Sequence, residues 1–349
     1  MSATNDLVTD RRVQRHQATL LAAGYDVILL GRNEILTRHT RSWLFYFEFN
    51  IALRRKLLQI KPDIVWANDT DTLLGSWLAA RRLCRPLVMD AHELFPEVPE
   101  IQHKRFVKWV WRTIERRLMP KCDALITVCQ SIAKYYHSRY GVDMTVVRNI
   151  SNDDNDTPTN QHIIPNSPHH TLLYQGCVNL GRGVDWAIGA LEWLDDCRLV
   201  IAGGGDLLDN MKTLAASMPW ADRIIFTGRL TPAELKPITK NADVGLVMLE
   251  DMGLSYHYAL PNRIGDFVAA GIPMVVSDLP EMAAIIRRFD IGEIMESTGA
   301  HALADSIKKV LARSKKNYDF SAARQDMDWN KEKQKLIKIA NDLCSTTSF

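Results

Sequence analysis

Short apolar, β-prone runs alternate with helix-like stretches along most of this chain, and that rhythm restricts the fold more than any other feature of the sequence. A parallel strand can be reached only through a long crossover, so the alternation predicts parallel sheets covered by helices. Strands are expected at 26–30, 63–67, 86–90, 124–128 and 145–148, and again at 171–175, 198–202, 224–227, 243–248 and 273–277. Between the two sets lies 151–170, rich in Asn, Asp, Pro and Ser and without periodicity, which reads as a linker. The expected fold is therefore α/β, two Rossmann-like doubly wound parallel-sheet domains. Their ligands should sit beyond the carboxyl ends of the strands, with a cleft between the facing domains as the default active site.

The expected boundaries are 1–155 for the first domain and 156–328 for the second. A terminal helix is expected over 329–349, with Leu336, Ile339 and Leu343 at helical spacing. A doubly wound domain normally opens with a strand. Here a helix reads from Asp10 to Gly24 with only a few residues before it, so the first strand is expected to be truncated or replaced.

Composition narrows the class. A chain of 349 residues, 46% hydrophobic and 24% charged, can bury two cores and is not disordered. Its six cysteines include no CxxC pair, which argues against a disulfide framework or zinc knuckle and suits a reducing cytoplasm. No apolar run reaches the roughly 20 residues of a spanning helix, and the amino terminus lacks a signal-peptide core. The net charge of +2 hides an asymmetry: residues 1–150 carry 23 Lys and Arg against 15 Asp and Glu, the remainder 20 against 26. A basic first half suits phosphates or an anionic surface. Two aromatic and cationic segments there, 41–56 and 104–118, leave room for peripheral contact with an anionic membrane. No nucleic-acid recognition motif is present.

The chemistry-bearing motifs follow strand ends. In the second half, Gly176, Gly181 and Gly183 surround Arg182 before a helix, and Gly203-Gly204-Gly205 closes the next strand. Such turns let backbone amides approach a pyrophosphate, and an arginine adds a forked charged contact. Arg229, just after the Phe226-Thr227-Gly228 turn, is a second phosphate candidate. The stretch 256–278 reads as a Pro-started helix stopped at Gly271, in which Asp266 can accept from sugar hydroxyls and Arg263 can face phosphate. In the first half, the strand 86–90 runs into His92, Glu93 and Glu97, a set suited to orienting or deprotonating an acceptor hydroxyl.

Taken together, Gly176, Arg182-Gly183, the triple glycine, residues 226–228, Ala242 to Gly245 and residues 261–278 resemble glycosyltransferase family 4 (glycosyl transferases group 1), over nearly the whole chain. The resemblance implies the GT-B fold, in which the last helix, 329–349 here, crosses back to the first domain. It also implies transfer of a sugar from a nucleotide diphosphate sugar to a glycan or lipid-linked acceptor, with retention of configuration, in surface polysaccharide or glycoconjugate synthesis. The alternatives are a nucleotide-sugar epimerase of the same fold and a silent glycosyltransferase-like binding subunit.

Carried over residue by residue, the family's spaced acid pair falls on Tyr258 and Asp266: the ribose-binding acid is kept as Asp266, and the sugar-contacting acid becomes a phenol. The family's Arg and Lys phosphate pair falls on Cys177 and Arg182, leaving one cation for Arg263 to replace. His92 is implied to point at sugar and acceptor. Asp69-Thr70-Asp71 is an Asp-x-Asp of the kind that holds a divalent metal elsewhere. In the GT-B layout this loop lies on the acceptor side, so Asn68 and Asp69 are read as acceptor contacts and Asp71 as an alternative helix cap. Neither metal nor cofactor is expected beyond the donor. The expected location is the cytoplasm, extending to the inner face of its membrane.

Overall fold

The computed structural model describes residues 1–5, 7, 10–40, 42–150, 164–165 and 167–346. Most of the expected linker, residues 151–163 and 166, lies outside the described residues, as do the 155/156 boundary and Arg41 at the head of the segment 41–56. The chain divides into two compact units. One comprises Met1–Asn149, Gly253–Ser255 and Trp329–Phe349; the other comprises Ile150–Met252 and Tyr256–Asp328.

The first unit runs α1 (Arg11–Ala22), α2 (Ser42–Ile60), β1 (Val65–Asn68), α3 (Thr70–Leu83), β2 (Leu87–Ala91), α4 (Arg105–Leu118), β3 (Ala124–Thr127), α5 (Gln130–Tyr140) and β4 (Thr145–Val146). The strands form a parallel sheet in the order β1-β2-β3-β4. Every residue of β1 and β2 is buried, as expected of strands covered on both faces. The expected strand 26–30 is not formed. Instead Ser2 makes isolated parallel bridges to both Leu30 and Ala67, with Ser2 N donating to Trp66 O at 2.9 Å and Leu30 N to Met1 O at 2.9 Å. The opening strand is thus reduced to a single bridging position, too short to hold its neighbour in a regular ladder. Asp10 caps α1 by accepting from Val13 N at 3.0 Å.

The second unit runs β5 (His170–Gln175), α6 (Val184–Ala190), β6 (Cys197–Ala202), α7 (Leu208–Ala216), β7 (Ile224–Gly228), α8 (Pro232–Lys240), β8 (Val244–Val247), α9 (Leu254–His257), α10 (Arg263–Ala270), β9 (Met274–Val276), α11 (Pro280–Phe289), β10 (Gly292–Ile294), α12 (Ala300–Ala312) and α13 (Ser321–Asp326), with α9 beginning in the segment assigned to the first unit. Its parallel sheet has the order β10-β9-β8-β5-β6-β7. The edge strand β10 was not anticipated, because a three-residue strand leaves no period to read. The helix expected to begin at a proline begins two residues after Pro261. It ends as expected at Gly271, whose φ of +71° is the left-handed conformation in which glycine carries no side-chain penalty.

The last helix, α14 (Trp329–Thr346), belongs to the first unit. Leu336 and Ala340 join Leu20, Trp66, Val88, Ile126 and Val147 in one core, with Ile339 and Leu343 packed against it. A buried carboxylate fixes the helix axially: Glu332 accepts from Arg148 Nε at 2.9 Å, from Arg148 N at 3.2 Å and from Lys335 Nζ at 2.7 Å. On another helix, α4, buried Glu115 accepts hydroxyls from Thr70 at 2.8 Å, Tyr136 at 2.9 Å and Tyr140 at 3.0 Å, tying α3, α4 and α5 together.

Replacing Glu332 removes charged hydrogen bonds that no neighbour can supply. Glu332→Ala is expected to lower the unfolding free energy by about 1.5–3 kcal/mol, read as an earlier urea midpoint by circular dichroism. An unchanged midpoint would show that α14 is held by its apolar face alone.

Candidate functional site

Asn68 pairs with Asp90 in register, so β1 and β2 finish at one edge and deliver Asp69 and His92 side by side. Asp69 sits at the N-cap position of α3 with φ +61°, yet its carboxylate makes no cap bond. It turns instead to His92, accepting from the backbone N at 2.8 Å and lying 3.2 Å from ring Nδ1. The other ring nitrogen, Nε2, lies 3.4 Å from Asp90 Oδ2. Asp90 is fully buried and is gripped by Arg12 of α1, whose Nη2 and Nε donate to its two oxygens at 2.6 and 3.0 Å.

This geometry sets the charges. Burial pushes Asp90 up, but Arg12 and then His92 overcome it and hold the carboxyl well below the usual range. Burial opposes a charge on His92, but Asp69 and Asp90 outweigh it and raise the imidazole to about 9. Asp69 is itself pushed up to about 8, chiefly by burial. Between them the pair keeps a proton at neutral pH. His16, stacked on Trp329 and 3.2 Å from Asp90, goes the other way, lowered to about 4 by burial and by Arg12.

The remaining acceptor-side candidates are more committed. Asn68 is buried and donates to Ser2 O at 2.9 Å. Glu93 follows His92 and is half-buried. Glu97 is buried and bound by Lys108 at 2.6 Å and by Arg112 at 3.0 Å, so its carboxylate anchors α4. Asp71 does not cap α3. It lies in the first turn of that helix and accepts from Thr4, while its backbone oxygen accepts from Asn50 Nδ2 at 2.7 Å.

In the second unit the glycine turns after β5 and β6 interlock. A Cβ on Gly203 would stand 1.8 Å from Gly176 O, which only glycine permits. Gly176 N donates to Ala202 O at 3.0 Å and Val178 N to Gly204 O at 3.0 Å, so the two turns form one platform. Gly183, at the N-cap of α6, presses on Met248, where a Cβ would come within 2.6 Å. Arg182, half-buried in this loop, stacks over the Tyr256 ring at 4.8 Å, and its Nε is buried with no hydrogen-bond partner among the described residues. Arg229 lies along Gly204, its Cγ and Nε each 3.0 Å from the position a Cβ there would take.

Arg263 departs from expectation. Its side chain is buried over Tyr174 at 4.7 Å, and Nη1 and Nη2 donate to Gln175 O and Met248 O, each at 3.1 Å. It buttresses the platform from below, where Gly176 leaves room for it, and does not reach outward. Asp266 is half-buried and accepts from Gln175 Nε2 at 2.7 Å, and Gln175 in turn accepts from Thr239 at 2.9 Å. Tyr258 packs edge-on against His257, ring centroids 4.9 Å apart. Sequence reading missed Arg12, His16, Gln175 and Tyr256. Only Asp90 carried a visible signal, two residues before His92.

Comparisons with known proteins agree with this architecture. The model of Glycosyltransferase Family 4 matches residues 7–153, and that of Glycosyl transferases group 1 matches residues 161–327. A phosphatidyl-myo-inositol mannosyltransferase of Mycobacterium leprae is 24% identical over 172 residues, 46% of this chain and 42% of that protein. The chain spans less than half the length of the curated relatives it matches. Among solved structures, sucrose-phosphate synthase from Thermosynechococcus elongatus superimposes with TM-score 0.77 at 16% identity, covering 96% of this chain and 93% of that one. Anabaena HepE, solved in complex with UDP-glucose, gives TM-score 0.67 at 14% identity, covering 83% and 82%. With family models matching both of its halves and two parallel-sheet units of the GT-B type, the chain belongs to glycosyltransferase family 4, the glycosyl transferases of group 1.

Proposed function

We propose that the protein transfers a sugar from a nucleotide diphosphate sugar to a hydroxyl of a glycan or lipid-linked acceptor, with retention of configuration, in the synthesis of a surface polysaccharide or glycoconjugate. The observation that carries this reading is Arg182: a guanidinium stacked on Tyr256, bearing an unpartnered buried donor, beside a platform of glycine turns. When the bond from the anomeric carbon to the diphosphate oxygen breaks, negative charge grows on the leaving group. A fixed cation next to that oxygen stabilises the charge without reorganising. Arg229 adds a second, exposed cation, and buried Arg263 adds positive field from beneath Gly176. Asp266, oriented by Gln175, is assigned the ribose hydroxyls, and Tyr258 the transferred sugar. The HepE complex with UDP-glucose supports a nucleotide sugar as donor.

On the acceptor side, the pair of His92 and Asp69 already holds a proton at neutral pH, which disfavours uptake of another from the acceptor. The role of His92 in this scheme is donation: it orients a sugar hydroxyl and offsets negative charge. Glu93 and Asn68 border the same edge. The scheme routes no step through a metal, since Asp69 is engaged by His92 and Asp71 by Thr4. An epimerase would need no acceptor, and a silent subunit no donor chemistry.

Incubation with uridine, guanosine and adenosine diphosphate sugars, with and without acceptor, tests the reading. Transfer should require acceptor, and conversion of donor alone to its epimer would replace the proposal. Arg182→Ala is expected to lower kcat/KM by about 10²–10³-fold, and unchanged turnover would remove its role. Asp90→Asn should lower the His92 pKa by about 1–3 units, followed by imidazole NMR titration. Activity that needs the imidazolium falls as pH rises through about 9 in the native protein and at lower pH in this variant.

A further inference from the structure

Helices α2, α3 and α4 each lead into a parallel strand, so each starts at the carboxyl edge of the first sheet, the edge that bears Asp69 and His92. They pack side by side, with Tyr46 of α2 against Trp111 of α4 at 5.2 Å between ring centroids. The starts of α2 and α4, and the loop before α2, leave large apolar side chains in solvent: Leu36 at 84%, Trp43 at 70%, Phe47 at 59%, Phe106 at 74% and Trp109 at 61% exposure. Phe106 and Trp109 stack on each other at 5.9 Å. Single exposed apolar residues are ordinary, but a rim of four phenyl or indole rings and a leucine around one helix edge is not.

The charge around this rim has one sign in excess. Arg32, Arg38, Lys104 and Arg105 are exposed there, against Glu34 and Glu100, and Arg116 and Arg117 extend the cationic face along α4. The other acids nearby are taken up inside the unit: Glu48 by His39, Glu97 by Lys108 and Arg112, and Glu115 by three hydroxyls. Tryptophan and phenylalanine interleaved with Lys and Arg match the headgroup region of an anionic bilayer, which offers apolar depth and negative charge at one level. No helix among the described residues is long and apolar enough to cross a membrane.

We infer that the rim formed by the starts of α2 and α4 is a docking surface for an anionic lipid bilayer, into which Trp43, Phe47, Phe106 and Trp109 insert while Lys104 and Arg105 meet the headgroups. The inference stands on this surface alone and does not depend on the transfer reading. It places the edge bearing His92 at the level of the headgroups, on the inner face of the membrane if the chain resides in the cytoplasm.

Sedimentation of the full chain with vesicles tests it, using phosphatidylcholine alone and phosphatidylcholine mixed with phosphatidylglycerol. The protein should pellet with the mixed vesicles only and be released by salt. The double variant Phe106→Ser, Trp109→Ser should lose binding by about tenfold or more, as should Lys104→Glu with Arg105→Glu. These positions are exposed, so thermal melting and nucleotide diphosphate binding should stay as in the native protein. Absence of vesicle binding, equal binding to both vesicle types, or undiminished binding by the variants would overturn the inference. So would a dimer in equilibrium sedimentation that the aromatic variant splits while vesicles bind neither form.

Discussion

All strands within each sheet run the same way, and that constraint organises everything else. Parallel pairing leaves the carboxyl ends of the strands at one edge, where backbone groups have finished their ladder and loops are free to carry side chains. In the first unit this edge presents Asp69 and His92; in the second it presents the turns at Gly176 and Gly203. Strand interiors, buried on both faces, carry no chemistry of their own. They fix the positions of residues just beyond their ends.

At the first edge, a charge had to be buried in order to hold another at the surface. Asp90 has no exposure, and a lone carboxylate there would be neutralised. The forked bond from Arg12 keeps it ionised, and Arg12 is itself satisfied by Val147 O at 2.7 Å. The neutral His16 behind them avoids placing a third positive charge, beside Arg12 and His92, on the same carboxylate. The outcome is a chain of influence from α1 through Asp90 to His92, which adds to that of Asp69 in keeping the imidazole protonated.

Much of this was legible in the sequence, for definite reasons. Long apolar runs such as 86–90 and 198–202 could belong only to buried strands, and Gly271 marked a helix stop through its backbone freedom. Arg182 and the triple glycine were readable because glycine-rich strand ends mean close backbone approach. What stayed hidden were pairings across distance. Arg12 lies 78 positions from Asp90, and in a helix it looks like any solvated cation. Arg263 looked like a phosphate ligand because its position in the motif is visible and its burial is not. The strand at 26–30 failed for the opposite reason: its residues have strand character, but the neighbour that would hold them is reduced to Ser2.

The second edge holds its cation on an aromatic face. Tyr258 and Cys177 stand at the two positions where the family resemblance implies an acid and a cation. Arg182 rests on Tyr256, whose ring face attracts the cation without neutralising it. A carboxylate in place of that ring would form an ion pair that any arriving anion must first break. The aromatic support leaves the positive charge whole, so the field at the glycine platform is set before any anion arrives.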